Sequence, residues 1–135
     1  MPRMYRLLGN TRLAHLRGYR QARKIVVIGV HGWYAQSILK NIIGVPIGTS
    51  ALFASMMSES IRRKYEEAGV HLSPDAITEI AIQHDGCVRD RADAFLAAIT
   101  QNEKWVNALR EAEAVFVVAH SQGAIVSTFL LAHLL

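Results

Sequence analysis

Three apolar runs of strand length punctuate the chain: K-I-V-V-I-G-V-H at 24–31, A-I-T-E-I-A-I-Q at 76–83 and A-V-F-V-V-A at 114–119. Each is followed by residues with helical spacing, and that alternation restricts the architecture more than any other feature. The first run is β-branched and apolar at nearly every position, the pattern of a strand covered on both faces, as in a parallel sheet. Parallel neighbours need crossover connections, and the intervening helices would supply them. The expected fold class is therefore α/β, a parallel sheet with flanking helices.

The connecting segments are legible at the same level. Residues 35–49 carry Gly44, Pro46 and Gly48 and read as an irregular loop. Thr49 or Ser50 is placed to cap a helix over 51–68, whose stripe would be Leu52, Phe53, Met56, Met57, Ile61 and Tyr65, with Gly69 as the stop. Asp85-Gly86 is a turn, Val88, Ala92, Phe95, Leu96 and Ile99 mark a second helix, and Trp105 and Leu109 a third. Residues 122–134 are almost all apolar and predict a buried helix. With no repeat or linker, the expected organisation is one domain over 24–135 preceded by a basic arm, 1–23.

The segment A-H-S-Q-G at 119–123 sits between the third strand and this last helix. A nucleophilic serine at a strand tip needs a sharp strand-to-helix turn, and the positions two before and two after it must be small to avoid collision. Here they are Ala119 and Gly123. The helix that follows would turn the Gln122 N–H toward an oxyanion developing at Ser121. The competing reading is an ordinary helix cap. Upstream, His31-Gly32-Trp33-Tyr34 follows the first strand at its carboxyl end, where ligands bind in open α/β sheets. A Gly there lets the backbone present a second N–H, from Trp33 or Tyr34, to the same point. Trp33 and Tyr34 equally suit packing or acyl-chain contact, and His31 suits a hydrogen-bonded core position better than proton transfer.

V-V-I-G-V-H-G-W at 26–33 and V-V-A-H-S-Q-G at 117–123, with Gly-Thr-Ser at 48–50 and V-x-D-R at 88–91, resemble the α/β-hydrolase superfamily, within it the serine-esterase and lipase branch found in fungal genomes. The resemblance covers roughly 24–135. It implies Ser121 as nucleophile, Gln122 and Trp33 as oxyanion-hole amides, Ala119, His120, Gly123, His31 and Gly32 as elbow and turn residues, and an ester or lipid substrate. His120 would occupy a variable elbow position and not act as base. The apolar region 41–57 would form a lid or acyl pocket, or simply a loop and helix start.

One part of the superfamily pattern is missing. Its triad runs Ser, then Asp or Glu, then His along the chain, yet no Asp or Glu follows Ser121 and the one histidine is His133. A regular helix puts His133 about 18 Å along the axis from the elbow. The expectation is thus the N-terminal part of a hydrolase fold ending just after the elbow helix, with strand 114–119 left as an apolar edge that invites self-association. Two functions follow: a serine hydrolase incomplete in itself, or a catalytically inactive fragment or pseudoenzyme acting by association.

Composition narrows the rest. A 51% apolar, 19% charged chain is globular in type, and the single Cys87 excludes an internal disulfide and fits a reducing, intracellular and cytoplasmic setting. Arg3, Arg6, Arg12, Arg17, Arg20, Arg23 and Lys24 precede the first acidic residue, Glu59. That arm reads as solvated or as a mitochondrial presequence; no nucleic-acid-binding module accompanies it. No cofactor or metal is expected: His31, His84 and His120 fall at strand ends without ligand spacing, and His84-Asp85 reads as a turn. Residues 114–135 lack formal charge, so a membrane tail anchor is a third functional alternative, weakened by the polar residues 120–123 in their midst.

Overall fold

The computed structural model of the chain describes residues 23–32, 49–84 and 86–134. The basic arm, apart from Arg23, and the loop carrying Trp33 and Tyr34 lie outside them. Three strands form one parallel sheet in the order β2-β1-β3: β1 is Ile25–Val30, β2 Ile77–Ala81 and β3 Ala114–Ala119. Ile25 pairs with Ile77 on one side and with Ala114 on the other, and the β3 register runs through to Val30 opposite Ala119. β1 is central because all six of its residues are apolar or glycine, and all six are buried. Four helices flank the sheet among the described residues: α1 Thr49–Glu67, α2 Val88–Gln101, α3 Glu103–Glu111 and α4 Gln122–Leu134. These elements form the expected α/β architecture, a parallel sheet with flanking helices.

Alternation along β1 divides the core in two. Val26, Ile28 and Val30 pack with Ile80, Phe95, Ile99, Val126 and Leu130, on the face covered by α2 and α4. Ile25 and Val27 pack with Ala54, Ile61, Tyr65 and Leu72 on the α1 face. Gly29 belongs to the α1 face, and there the helix meets the strand backbone to backbone.

That close approach corrects the expected stripe of α1. Its buried residues are Ser50, Ala54, Ser58, Ile61 and Tyr65, whereas Leu52 and Met56 are 44% and 57% exposed. Small residues line the first turns because the helix lies directly against Gly29. Ser50 is also no cap: it is inside the helix, and its hydroxyl meets His31. The end of α1 is as expected. Gly69 has φ 75°, its N–H donates to the Glu66 carbonyl, and the Val70 N–H reaches back to Tyr65, the paired bonds of a Schellman turn. A Cβ at Gly69 would meet nothing within 4 Å. Gly69→Ala is therefore expected to cost about 1 kcal/mol from backbone strain alone, read as a lower urea midpoint with unchanged slope; a larger loss would mean that the turn also packs.

The other correction concerns α4. It buries only Gly123, Val126, Ser127 and Leu130, and Ile125 and Phe129 are 54% and 45% exposed. A helix laid on one face of a sheet has one stripe to bury, however apolar its other sides. The tail-anchor alternative needs 114–135 as one continuous apolar helix. Residues 114–119 are instead a strand of the sheet, and α4 begins only at Gln122. No helix among the described residues is long and apolar enough to cross a membrane. β3 is paired on one side only among the described residues, and its Val115 is 45% exposed.

Candidate active site

Parallel pairing brings the carboxyl ends of β1 and β3 together, so His31-Gly32 runs beside His120-Ser121. The last rung is the His120 N–H donating to the Val30 carbonyl at 3.2 Å. The chain then reverses at once into α4: the Gly123 N–H donates to His120 and the Ala124 N–H to Ser121, each at 3.0 Å. Such a turn forces φ of Ser121 to 55°, and Ser121 is the one non-glycine residue with positive φ among those described. Left-handed backbone costs a side-chain-bearing residue on the order of 1 kcal/mol or more. What that strain achieves is exposure: the Ser121 side chain stands exposed at the tip.

The flanking small residues have separate reasons. A Cβ on Gly123 would lie 2.6 Å from both the Val30 and His31 carbonyl oxygens, so the first turn of α4 seats on the end of β1 with no room for a methyl. A Cβ on Gly32 would lie 3.1 Å from the Ser121 Cβ and the His120 carbonyl oxygen, which puts the backbone leaving β1 against the serine itself. Ala119 is half-buried opposite Val30. Gln122 begins α4, and its N–H is among the first-turn donors that a helix leaves unmet.

The histidines divide clearly. His31 is 5% exposed; its backbone N–H donates to Ser50 Oγ at 3.1 Å and its Nδ1 lies 2.7 Å from the same oxygen, tying the end of β1 to the first turn of α1. His120 is exposed, its ring centroid 6.1 Å from that of Phe53 on α1. His133 lies at the far end of α4, with Nδ1 2.8 Å from the Phe129 carbonyl oxygen. His84 is exposed, and its neighbour Asp85 falls outside the described residues, as does Trp33. Among the described residues no three His, Cys, Asp or Glu side chains are grouped to hold a metal ion.

One residue at this end of the sheet was quoted in the sequence reading only as part of V-x-D-R at 88–91, with no role given to it. Arg91, on α2, is 0% exposed. Its Nε donates to the His84 carbonyl at 3.0 Å, Nη1 to Gln122 Oε1 at 3.0 Å and Nη2 to the His31 carbonyl at 2.6 Å. A signal was present: Arg91 falls on the apolar stripe between Val88 and Phe95, where a solvated arginine has no place.

Lys24, just before β1, pairs with Glu111 at the opposite end of the sheet. Hydrogen bonding to Lys24, then its charge, holds the Glu111 carboxyl below its usual range, and the same partner raises Lys24.

The model of the YMC0/YMC35 alpha/beta hydrolase domain matches residues 3–135. Neither a curated protein nor a solved structure gives a significant match.

Proposed function

The chain belongs to the YMC0/YMC35 α/β-hydrolase family, a hydrolase in general type, and from that premise we propose that it hydrolyses a carboxylic ester through an acyl-enzyme formed on Ser121. The observation that carries the reading is the strained, exposed Ser121 at φ 55° between β3 and α4. In this reading Ser121 Oγ attacks the acyl carbon as its proton passes to a base. The carbonyl oxygen becomes an oxyanion that accepts from the Gln122 N–H, with the Trp33 N–H as its second donor. Collapse expels the alcohol, which takes the proton back, and water then releases the acid from the acyl-serine.

The base and its carboxylate are assigned to residues outside those described, since two of the described histidines are engaged or distant and His120 occupies the variable elbow position. His31 Nδ1 lies on Ser50, and His133 lies about 18 Å along α4. An apolar acyl group is supported by Phe53 beside His120 and by exposed Leu52 and Met56 on the same helix.

The test is labelling with a fluorophosphonate probe. Wild type is expected to take up one label per chain, and Ser121→Ala none while keeping its circular dichroism. A label retained by Ser121→Ala would move the nucleophile elsewhere. A folded wild type that stays unlabelled would favour an inactive member working by association, a second reading supported by the one-sided β3 edge with exposed Val115. Under that second reading the chain self-associates, visible as a concentration-dependent sedimentation coefficient.

A further inference from the structure

Three acceptors on one buried guanidinium come from three separate places in the chain: His84 is 7 residues from Arg91, Gln122 is 31 away and His31 is 60 away. His84 follows β2, His31 follows β1, and Gln122 follows Ser121 at the head of α4. One side chain thus joins the carboxyl ends of all three strands. The planar guanidinium, with five donors in fixed directions, suits this; an ammonium on one nitrogen cannot span three such acceptors.

What the bonds hold is specific. The His31 carbonyl belongs to the peptide linking His31 to Gly32. A trans peptide is planar, so aiming that carbonyl at Nη2 also fixes the direction of the Gly32 N–H. Gly32 is the residue that presses on Ser121, with 3.1 Å between its would-be Cβ and the serine Cβ. The Gln122 side chain, held by Nη1, belongs to the residue whose amide begins α4 beside the serine. Both bonds are strong because one partner is charged.

We propose that Arg91 is a positioning residue of this site: it fixes the His31–Gly32 peptide, which presses on Ser121, and the head of α4 that carries the Gln122 amide, so that the serine and that amide keep one alignment. The proposal rests on the Ser121 reading for its catalytic consequence, but not for the alignment itself. Catalysis by amide donors depends on their being fixed before charge develops, and loss of one such donor lowers turnover by about 100-fold or more. Arg91 touches no reacting atom; it acts through Gly32 and Gln122.

The experiment follows the full chain, Arg91→Lys and Gln122→Met by backbone amide hydrogen exchange and by the rate of fluorophosphonate labelling, scaled to the folded fraction. For Arg91→Lys, exchange is expected to quicken by on the order of tenfold at His31 and Gly123, whose N–H groups are held by Ser50 Oγ and the His120 carbonyl, while Val27 and Ile28 stay unchanged. Labelling should slow by about 100-fold with the half-saturating probe concentration unaltered. Gln122→Met keeps the His31 bond, so a smaller fall, about tenfold, is expected. Uniformly faster exchange, with labelling lost only in proportion to folding, would reduce Arg91 to a packing residue and overturn the proposal; unchanged exchange and rate would do the same. Should Arg91→Lys not fold, Gln122→Met decides by the same readouts. A wild type that takes no label defeats the Ser121 reading alone, and the exchange pattern then decides on Arg91 by itself.

Discussion

Gly29→Ala is expected to leave the chain without a stable native state. A Cβ at this position would overlap the Ser50 carbonyl oxygen and stand 3.0 Å from its carbon and 3.2 Å from the Ala54 Cβ. Two of those three atoms are backbone, in the first turn of α1, so no rotamer change relieves the clash. Either α1 lifts from the sheet or β1 bows away from it. Lifting the helix opens the contacts of Ala54, 0% exposed, and separates Ser50 from His31. Bowing β1 disturbs a strand buried along its whole length. Inserting a methyl into a packed core costs about 1–3 kcal/mol when side chains can adjust. With backbone as the obstacle, the loss should exceed about 4 kcal/mol, a large part of the roughly 5–15 kcal/mol that holds a domain together. Thermal and urea unfolding by circular dichroism measure it. A melting temperature near that of wild type would refute the close seating of α1 on β1. Gly32→Ala is the natural comparison, since its nearest contacts are 3.1 Å and a shift of a few tenths of an ångström relieves them.

The second large effect is expected at Gly123→Ala, and it should separate activity from stability. The added methyl would sit 2.6 Å from two carbonyl oxygens, Val30 and His31. The start of α4 must move off the end of β1, and Ser121 moves with it. The body of α4 has somewhere to go, because Ile125 and Phe129 already face outward. A destabilisation of about 2–3 kcal/mol is therefore expected, so that the variant still folds. Probe labelling should fall by about 100-fold or more, because a displacement near 1 Å is enough to spoil attack geometry. Labelling at the wild-type rate in the folded variant would mean that the elbow does not depend on this contact.

The two glycines were not equally visible beforehand. Gly123 could be read from sequence because a serine at a strand-to-helix turn imposes a small residue two positions on, a requirement local to five residues. Gly29 sat inside a strand pattern with nothing nearby to explain it; its reason lies 21 positions away in Ser50. The same division runs through α1. Its C-terminal end was legible, because Gly69 is a local stop, but its start and the buried face of its first turns were not. Leu52 and Met56 satisfy helical spacing as well as Ala54 and Ser58 do, and the choice went to the small residues because the helix had to meet Gly29. Arg91 shows a third kind of difficulty. Its place on an apolar stripe is unusual, but the sequence reading gave it no role, and none of the acceptors His84, Gln122 and His31 can be guessed from α2 alone.

The sequence by itself determined the strands, the order of elements and the turn at Ser121, since each depends on periodicity or sterics within a few neighbouring residues. Tertiary structure decided which face of α1 and of α4 is buried, and that Arg91 would gather the ends of three strands. Those outcomes depend on distances between residues far apart in the chain, which local patterns of hydrophobicity do not encode.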